Sequence, residues 1–260
     1  MIGCRSTSFG VLFLKKENLT SEEHQAHSEK TGDRWTFVGV LPESSYIHTV
    51  HSGQRNQEQA KVFVEQIKGN SDGRAPFFES DGWFYEEVLT DVYGTLEEVP
   101  YKGKGRKPFP RQMPDPELKY AQVVKERDNG KVVSITTRIV LGDELEILEI
   151  LAKSERCKTI STSFVESRNG AFRKDNKRHT RKTKCHSKRI EPHDAHVVFL
   201  KCVYNLTKEN EKFKIMLNPD AKKFEIKYKR VSPAMKQGLV NKIYPLEELL
   251  IMKPLMFTIN

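Results

Sequence analysis

Up to Gly94 the sequence alternates between two periods in a set order, and that order narrows the fold more than any other feature. Ser8 to Leu14, S-F-G-V-L-F-L, is a short apolar run of the kind that forms a buried strand. From Arg34, R-W-T-F-V-G-V-L is rich in β-branched and aromatic residues. P-E-S-S then supplies turn chemistry and Y-I-H-T-V-H resumes with period two, which predicts a hairpin. Asn56 to Lys68 carries apolar residues at 60, 63, 64 and 67, the spacing of an amphipathic helix. After the breaker G-N-S-D-G-R, A-P-F-F-E-S-D reads as a short apolar strand and G-W-F-Y-E-E-V-L-T-D-V-Y-G as a helix directly behind it. Strand, strand, strand, helix, strand, helix, with the β-rich K-V-V-S-I-T-T-R-I-V-L-G further on as a fifth strand, predicts an α/β fold, a mixed five-stranded sheet flanked by helices.

Asp81 stands where the fourth of these strands stops. A carboxylate at the carboxyl end of a strand in an α/β sheet faces the crevice where such folds bind ligands. The competing reading is that Asp81 caps the helix behind it. Trp35, Trp83, Phe37, Phe77, Phe78, Phe84 and Tyr85 are candidates for the core. Further on, P-Y-K-G-K-G-R-K-P-F-P-R-Q-M-P-D-P, residues 100 to 116, combines five prolines with two glycines and repeated Lys and Arg. Such a stretch cannot join a core and predicts a basic arm. K-V-V-S-I-T-T-R-I-V-L-G is again β-rich, and D-E-L-E-I-L-E-I-L is an acidic helix with ordinary core spacing. H-D-A-H-V-V-F-L-K-C-V-Y-N predicts an apolar helix, and short helical pieces follow around V-S-P-A-M-K-Q-G-L and Y-P-L-E-E-L-L.

Charge is concentrated in one place. Between Arg168 and Arg189 there are ten Lys and Arg and a single acid, Asp175, so this segment's +9 equals the formal charge of the whole chain. The rest is charge-balanced, which favours a polyanionic partner, nucleic acid before membrane. From Thr162 to Arg189 the residues also read as a helix, despite Gly170. At about 100° per residue, Glu166, Asn169, Arg173, Asn176 or Lys177, and Thr180 form one stripe. One carboxylate therefore heads a basic helix face. A carboxylate among phosphate-binding cations suits a metal ion seated on a nucleic-acid backbone.

Other classes find little support. Cysteines at 4, 157, 185 and 202 form neither a disulfide framework nor a C-x-x-C pair, and predict reduced thiols. The H-x-x-H pairs at 24/27, 48/51 and 193/196 lack a partner pair at zinc-finger spacing. No phosphate-binding loop or nucleophile elbow occurs. No run approaches the roughly 18 apolar residues of a membrane span, and the first residues lack a secretory pattern; a cytoplasmic protein is expected.

Several segments together carry a family resemblance: F-E-S-D-G-W-F-Y-E-E-V-L, L-K-Y-A-Q-V-V-K-E-R-D-N-G-K-V-V-S-I-T-T-R-I-V-L-G, and S-T-S-F-V-E-S-R-N-G-A-F-R-K-D-N-K-R-H-T-R-K-T, continuing through S-K-R-I-E-P-H-D-A-H-V-V-F-L-K-C-V-Y-N into S-P-A-M-K-Q-G-L. The chain resembles prokaryotic insertion-sequence transposases of the DDE class, in the family named after the first insertion sequence. The resemblance implies a ribonuclease-H-like catalytic domain over residues 1–206, with a basic Pro/Gly-rich insertion near 100–130, and a carboxy-terminal extension over 207–260. It implies magnesium- or manganese-dependent cleavage and strand transfer on DNA, at element ends and target, by a homo-oligomer. By motif, Asp81 and Glu166 match the second and third catalytic, metal-binding acids. Asn169, Arg173, Lys174, Lys177, Arg178, Arg181 and Lys182 fall in the helix expected to meet DNA.

Two departures stand out. The family's first strand carries an acid, whereas residues 1–16 contain no Asp or Glu; the acid's place falls at Cys4 or at Thr7, and Glu17 and Asp33 are the nearest carboxylates. The amino-terminal DNA-binding region usual in the family is also absent from this sequence. Loss of one metal-binding acid removes a bridging ligand, so impaired catalysis is expected, and a non-catalytic DNA-binding remnant is the alternative.

Overall fold

The computed structural model describes residues 4–13, 32–81, 85–101, 103, 105–180, 185, 187, 189–216, 218–220, 222 and 224–252; residues 4–13, 32–33 and 211–212 are described by backbone placement alone. The chain divides into two compact units, Met1–Asp194 and Ala195–Asn260.

The first unit is built on a six-stranded mixed sheet. Its strands are β1 (Cys4–Phe13), β2 (Gly32–Leu41), β3 (Tyr46–Gly53), β4 (Phe77–Asp81), β7 (Lys119–Asp128) and β8 (Lys131–Leu141), in the order β3-β2-β1-β4-β7-β8. β1, β4 and β7 run parallel, while β2, β3 and β8 are antiparallel to their neighbours. The β2–β3 hairpin turns through Pro42–Ser45, as the turn residues predict. The β7–β8 hairpin turns on Asn129 and Gly130, with φ of 47° and 78°. These paired positive values define the tight turn whose twist matches the strands, and Asn-Gly is the residue pair that tolerates them best.

Helices cover both faces, for a reason visible in β4. Side chains alternate along a strand, so Phe77 and Phe78 enter opposite cores. Phe78 packs with Phe37, Tyr85, Leu118 and Tyr120 against α1 (Gln57–Gly69) and α2 (Glu86–Tyr93). The buried face of α1 is Ala60, Phe63, Val64 and Ile67, the set its periodicity predicts, and Asn56 caps it by accepting from the Gln59 amide at 2.9 Å. On the far face Phe77 and Ala121 meet Ile147 and Leu151 of α3 (Glu144–Lys153), whose cap is Asp143. Trp35 is partly buried against the larger core; Trp83 and Phe84 lie outside the described residues.

The sheet has one strand more than expected, and β7 is the reason. The Pro/Gly-rich stretch is mostly exposed where described and is closed by a short ribbon, β5 (Thr95–Glu97) against β6 (Arg111–Met113). From Lys119 the chain becomes an inner strand, so the irregular insertion ends well before 130. The basic segment is also less helical than its composition suggests. α4 spans Ser163–Asp175 and stops at Asn176, whose extended backbone (φ −132°, ψ 108°) breaks the ladder. Its side chain accepts from the Arg178 amide at 3.0 Å and starts a 3₁₀ turn, Lys177–His179. Asn competes with helix for backbone donors, and here it wins.

Helix α5 (Ile190–Thr207) begins in the first unit and ends in the second. Near its start Arg34 holds Asp194 through two of its guanidinium nitrogens, at 3.2 and 2.6 Å. The second unit adds a ribbon of β9 (Asn210–Met216) with β10 (Tyr228–Val231), then α6 (Pro233–Lys236), capped by Ser232, and α7 (Leu246–Ile251). No helix among the described residues is long and apolar enough to cross a membrane.

Candidate active site

The two carboxylates singled out by sequence are brought to one face of the sheet by the alternation of β4 and β7. Phe77, Glu79 and Asp81 share the face of β4 that packs under α3. In the parallel register Glu79 is level with Ala121 and Asp81 with Val123. Lys125, two residues beyond Val123, stays on the same face and forms an ion pair with Glu166 of α4. Its Nζ also lies 3.5 Å from Thr162 Oγ1, and Thr162 donates to Glu166 Oε1 at 3.2 Å.

Asp81 feels the same groups. Burial pushes its carboxyl above the ordinary carboxylate range, opposed by the Lys125 ammonium, reinforced by Glu166 and opposed again by Arg55. One ammonium is thus paired with Glu166, and Asp81 lies near enough to feel both charges and the more distant Arg55 guanidinium. The helix-capping alternative for Asp81 is not what the fold uses, since α2 begins at Glu86 with Tyr85 at its cap.

Two tethers set α4 at this height. Glu79, 1% exposed, accepts from the Ser161 amide at 3.0 Å, immediately before Thr162 and the first turn of the helix. Upstream, Arg156 donates to the Pro42 carbonyl at 3.1 Å and to Ser45 Oγ at 3.0 Å, fastening the same connection to the β2–β3 turn. The alternation that aims Asp81 outward therefore also aims Glu79 at the segment delivering Glu166.

β1 lies beside β4 on the other side, in the register Cys4↔Phe78, Arg5↔Glu79, Ser6↔Ser80. Continued by one residue, that register would bring Thr7 rather than Cys4 level with Asp81. Glu17 lies outside the described residues, and Asp33 pairs with Leu12 near the far end of β1.

The basic residues of α4 divide by face. Val165, Asn169 and Phe172 are its buried stripe, with Asn176 buried just beyond, so Asn169 at 3% exposure faces inward. Lys174, Lys177 and Arg178 are exposed, and Arg168 and Arg173 are half-buried. Arg181 and Lys182 lie outside the described residues. Behind the helix, His179 stacks on Phe172 at 6.2 Å and meets His193 at 5.2 Å, and the His193 Nδ1 shares a 2.9 Å hydrogen bond with Ser187. The H-x-x-H spacing of 193/196 therefore marks helix packing for its first histidine.

Sequence reasoning missed Glu79, Lys125, Thr162 and Arg55. Glu79 was detectable, because it sits two residues before Asp81 on the same face of an otherwise apolar strand. Lys125 was detectable once Asn129-Gly130 was recognised as a hairpin turn, which makes Lys119–Asp128 a strand. No protein-family model, no curated protein and no solved structure matches this chain.

Asp81 and Glu166 are hard oxygen donors, the chemistry that suits magnesium or manganese. Among the described residues there is no group of three or more His, Cys, Asp or Glu that could hold a metal ion.

Proposed function

We propose that this chain is a DNA-binding protein of the DDE transposase type, with a ribonuclease-H-like catalytic unit whose chemistry is impaired. The observation that carries the reading is that Lys125, on the sheet face shared by Asp81 at the end of an inner strand, is ion-paired with Glu166 from a late basic helix. The strand order β3-β2-β1-β4-β7, with β2 alone reversed among the inner strands, supports a ribonuclease-H-like architecture. The exposed cations Lys174, Lys177 and Arg178 support contact with a phosphate backbone beside the acids.

In this reading DNA lies along α4, its phosphates held by the exposed cations. Asp81 and Glu166 would hold a magnesium or manganese ion, which when bound neutralises charge at the scissile phosphate and activates a water or 3′ hydroxyl. Thr162 orients Glu166 through its hydroxyl, and Glu79 keeps the start of α4 in place. A homo-oligomer on DNA, acting at element ends and target, belongs to the same proposal.

Two observations favour the non-catalytic alternative, a protein that occupies DNA without cutting it. Thr7 stands at the first-strand position, and Lys125 already neutralises part of the acid pair. Nicking of supercoiled DNA with magnesium or manganese, beside Asp81→Ala and Glu166→Ala, separates the two. Nicking lost in both variants supports an active site. Salt-sensitive DNA binding without nicking supports the remnant. Absence of DNA binding refutes both.

A further inference from the structure

We propose that Lys125, held on Glu166 and on the sheet face shared by Asp81, is a resident counter-cation of this acid pair, so that metal reaches the pair only by displacing the ammonium. The inference rests on reading these two acids as the metal-binding pair. Lys125 projects from β7 on the face shared by Asp81, and its Nζ donates to Glu166 Oε1. That oxygen also accepts from Thr162, so Oε1 is committed on both sides while the ammonium stays, and a metal must contend with the adjacent positive charge. The Lys125 side chain is 19% exposed and that of Glu166 46%, so the cation is the more deeply seated member.

Charge makes the two occupants exclusive. Two carboxylates and one ammonium sum to one negative charge, and a divalent ion placed beside the ammonium is repelled by it. The four-carbon stem of lysine is flexible, so the ammonium can swing out toward another acceptor without disturbing β7. The arrangement keeps the acid pair compensated without metal and lowers its divalent affinity.

The test is manganese binding to the full chain, read from the electron paramagnetic resonance of free ion, for the wild type, Lys125→Met and Lys125→Arg. Methionine keeps the stem and removes the charge, and should tighten manganese by about tenfold or more, the scale of divalent–monovalent repulsion a few ångströms apart in water. Arginine keeps the charge and should not. Asp81→Asn added to Lys125→Met should abolish the gain. Equal affinity in wild type and Lys125→Met, or a gain that survives Asp81→Asn, overturns the proposal. Should Lys125→Met fail to fold by circular dichroism, Lys125→Gln carries the same comparison. Salt-dependent DNA binding on the same preparations separates the failures. Intact DNA binding with no gain in metal affinity sinks the counter-cation alone. No manganese binding by any variant at millimolar concentration also removes the metal-binding role of Asp81 and Glu166.

Discussion

If α4 is the DNA face, its exposed cations set the salt dependence of binding, and the structure says which ones to remove. Arg168, Lys174, Lys177 and Arg178 are half-buried or exposed, whereas Asn169 and Asn176 face inward. Each phosphate contact contributes about −0.9 to the slope of log affinity against log salt, so replacing all four by Ala should flatten the slope by up to about 3.6. Between about 50 and 200 mM salt this difference compounds: the deficit of the variant should be about a hundredfold larger at the low-salt end. The assay is fluorescence anisotropy with a labelled duplex across that salt range, the variant's fold being checked by thermal melting. Replacing Lys222, Lys227 and Lys229, exposed in the second unit, is the control. A slope unchanged by the α4 substitutions, or changed equally by the control set, refutes the assignment.

Three further outcomes are expected. Because burial raises the Asp81 carboxyl above its ordinary value of 3.8, the folded state holds more protons than the unfolded state above that pH, and stability falls as pH rises through the folded value. Asp81→Asn should therefore be more stable than wild type to urea at pH 7, with the gap closing toward pH 4; a gap constant with pH contradicts the cause. Tyr120→Phe removes a buried hydroxyl 2.7 Å from Ser80 Oγ and should cost about 1–2 kcal/mol in urea denaturation, part of it recovered by adding Ser80→Ala. Full additivity of the two would contradict this. Thr7→Asp places an acid level with Asp81 and should produce or increase manganese-dependent nicking; no change would argue against the first-strand site.

Much of the scaffold was legible because its signals are local. The apolar positions of α1 at 60, 63, 64 and 67 needed only a period, and Phe77 and Phe78 needed only the alternation of a strand buried on both faces. The end of α4 was less legible, since charge density in the 168–189 segment hid the capping habit of Asn176. β7 was hidden for another reason: its run of Tyr120 to Val124 follows a proline-rich arm and ends in charged residues, so only the Asn129-Gly130 turn marks it as half of a hairpin.

By itself the sequence determined the order of strands and helices up to Gly94, the concentration of cationic charge, and Asp81 and Glu166 as candidates, because period, composition and motif act over a few residues. Tertiary structure alone decided that Lys125 would pair with Glu166 on the face shared by Asp81, that Glu79 would anchor the helix carrying Glu166, and that β1 would lie beside β4 in the register Ser6↔Ser80. Those relations depend on the lateral register of β1, β4 and β7 and on where α4 settles against the sheet. The groups involved lie 41 residues apart between Lys125 and Glu166 and 82 apart between Glu79 and Ser161, distances over which no local pattern reports.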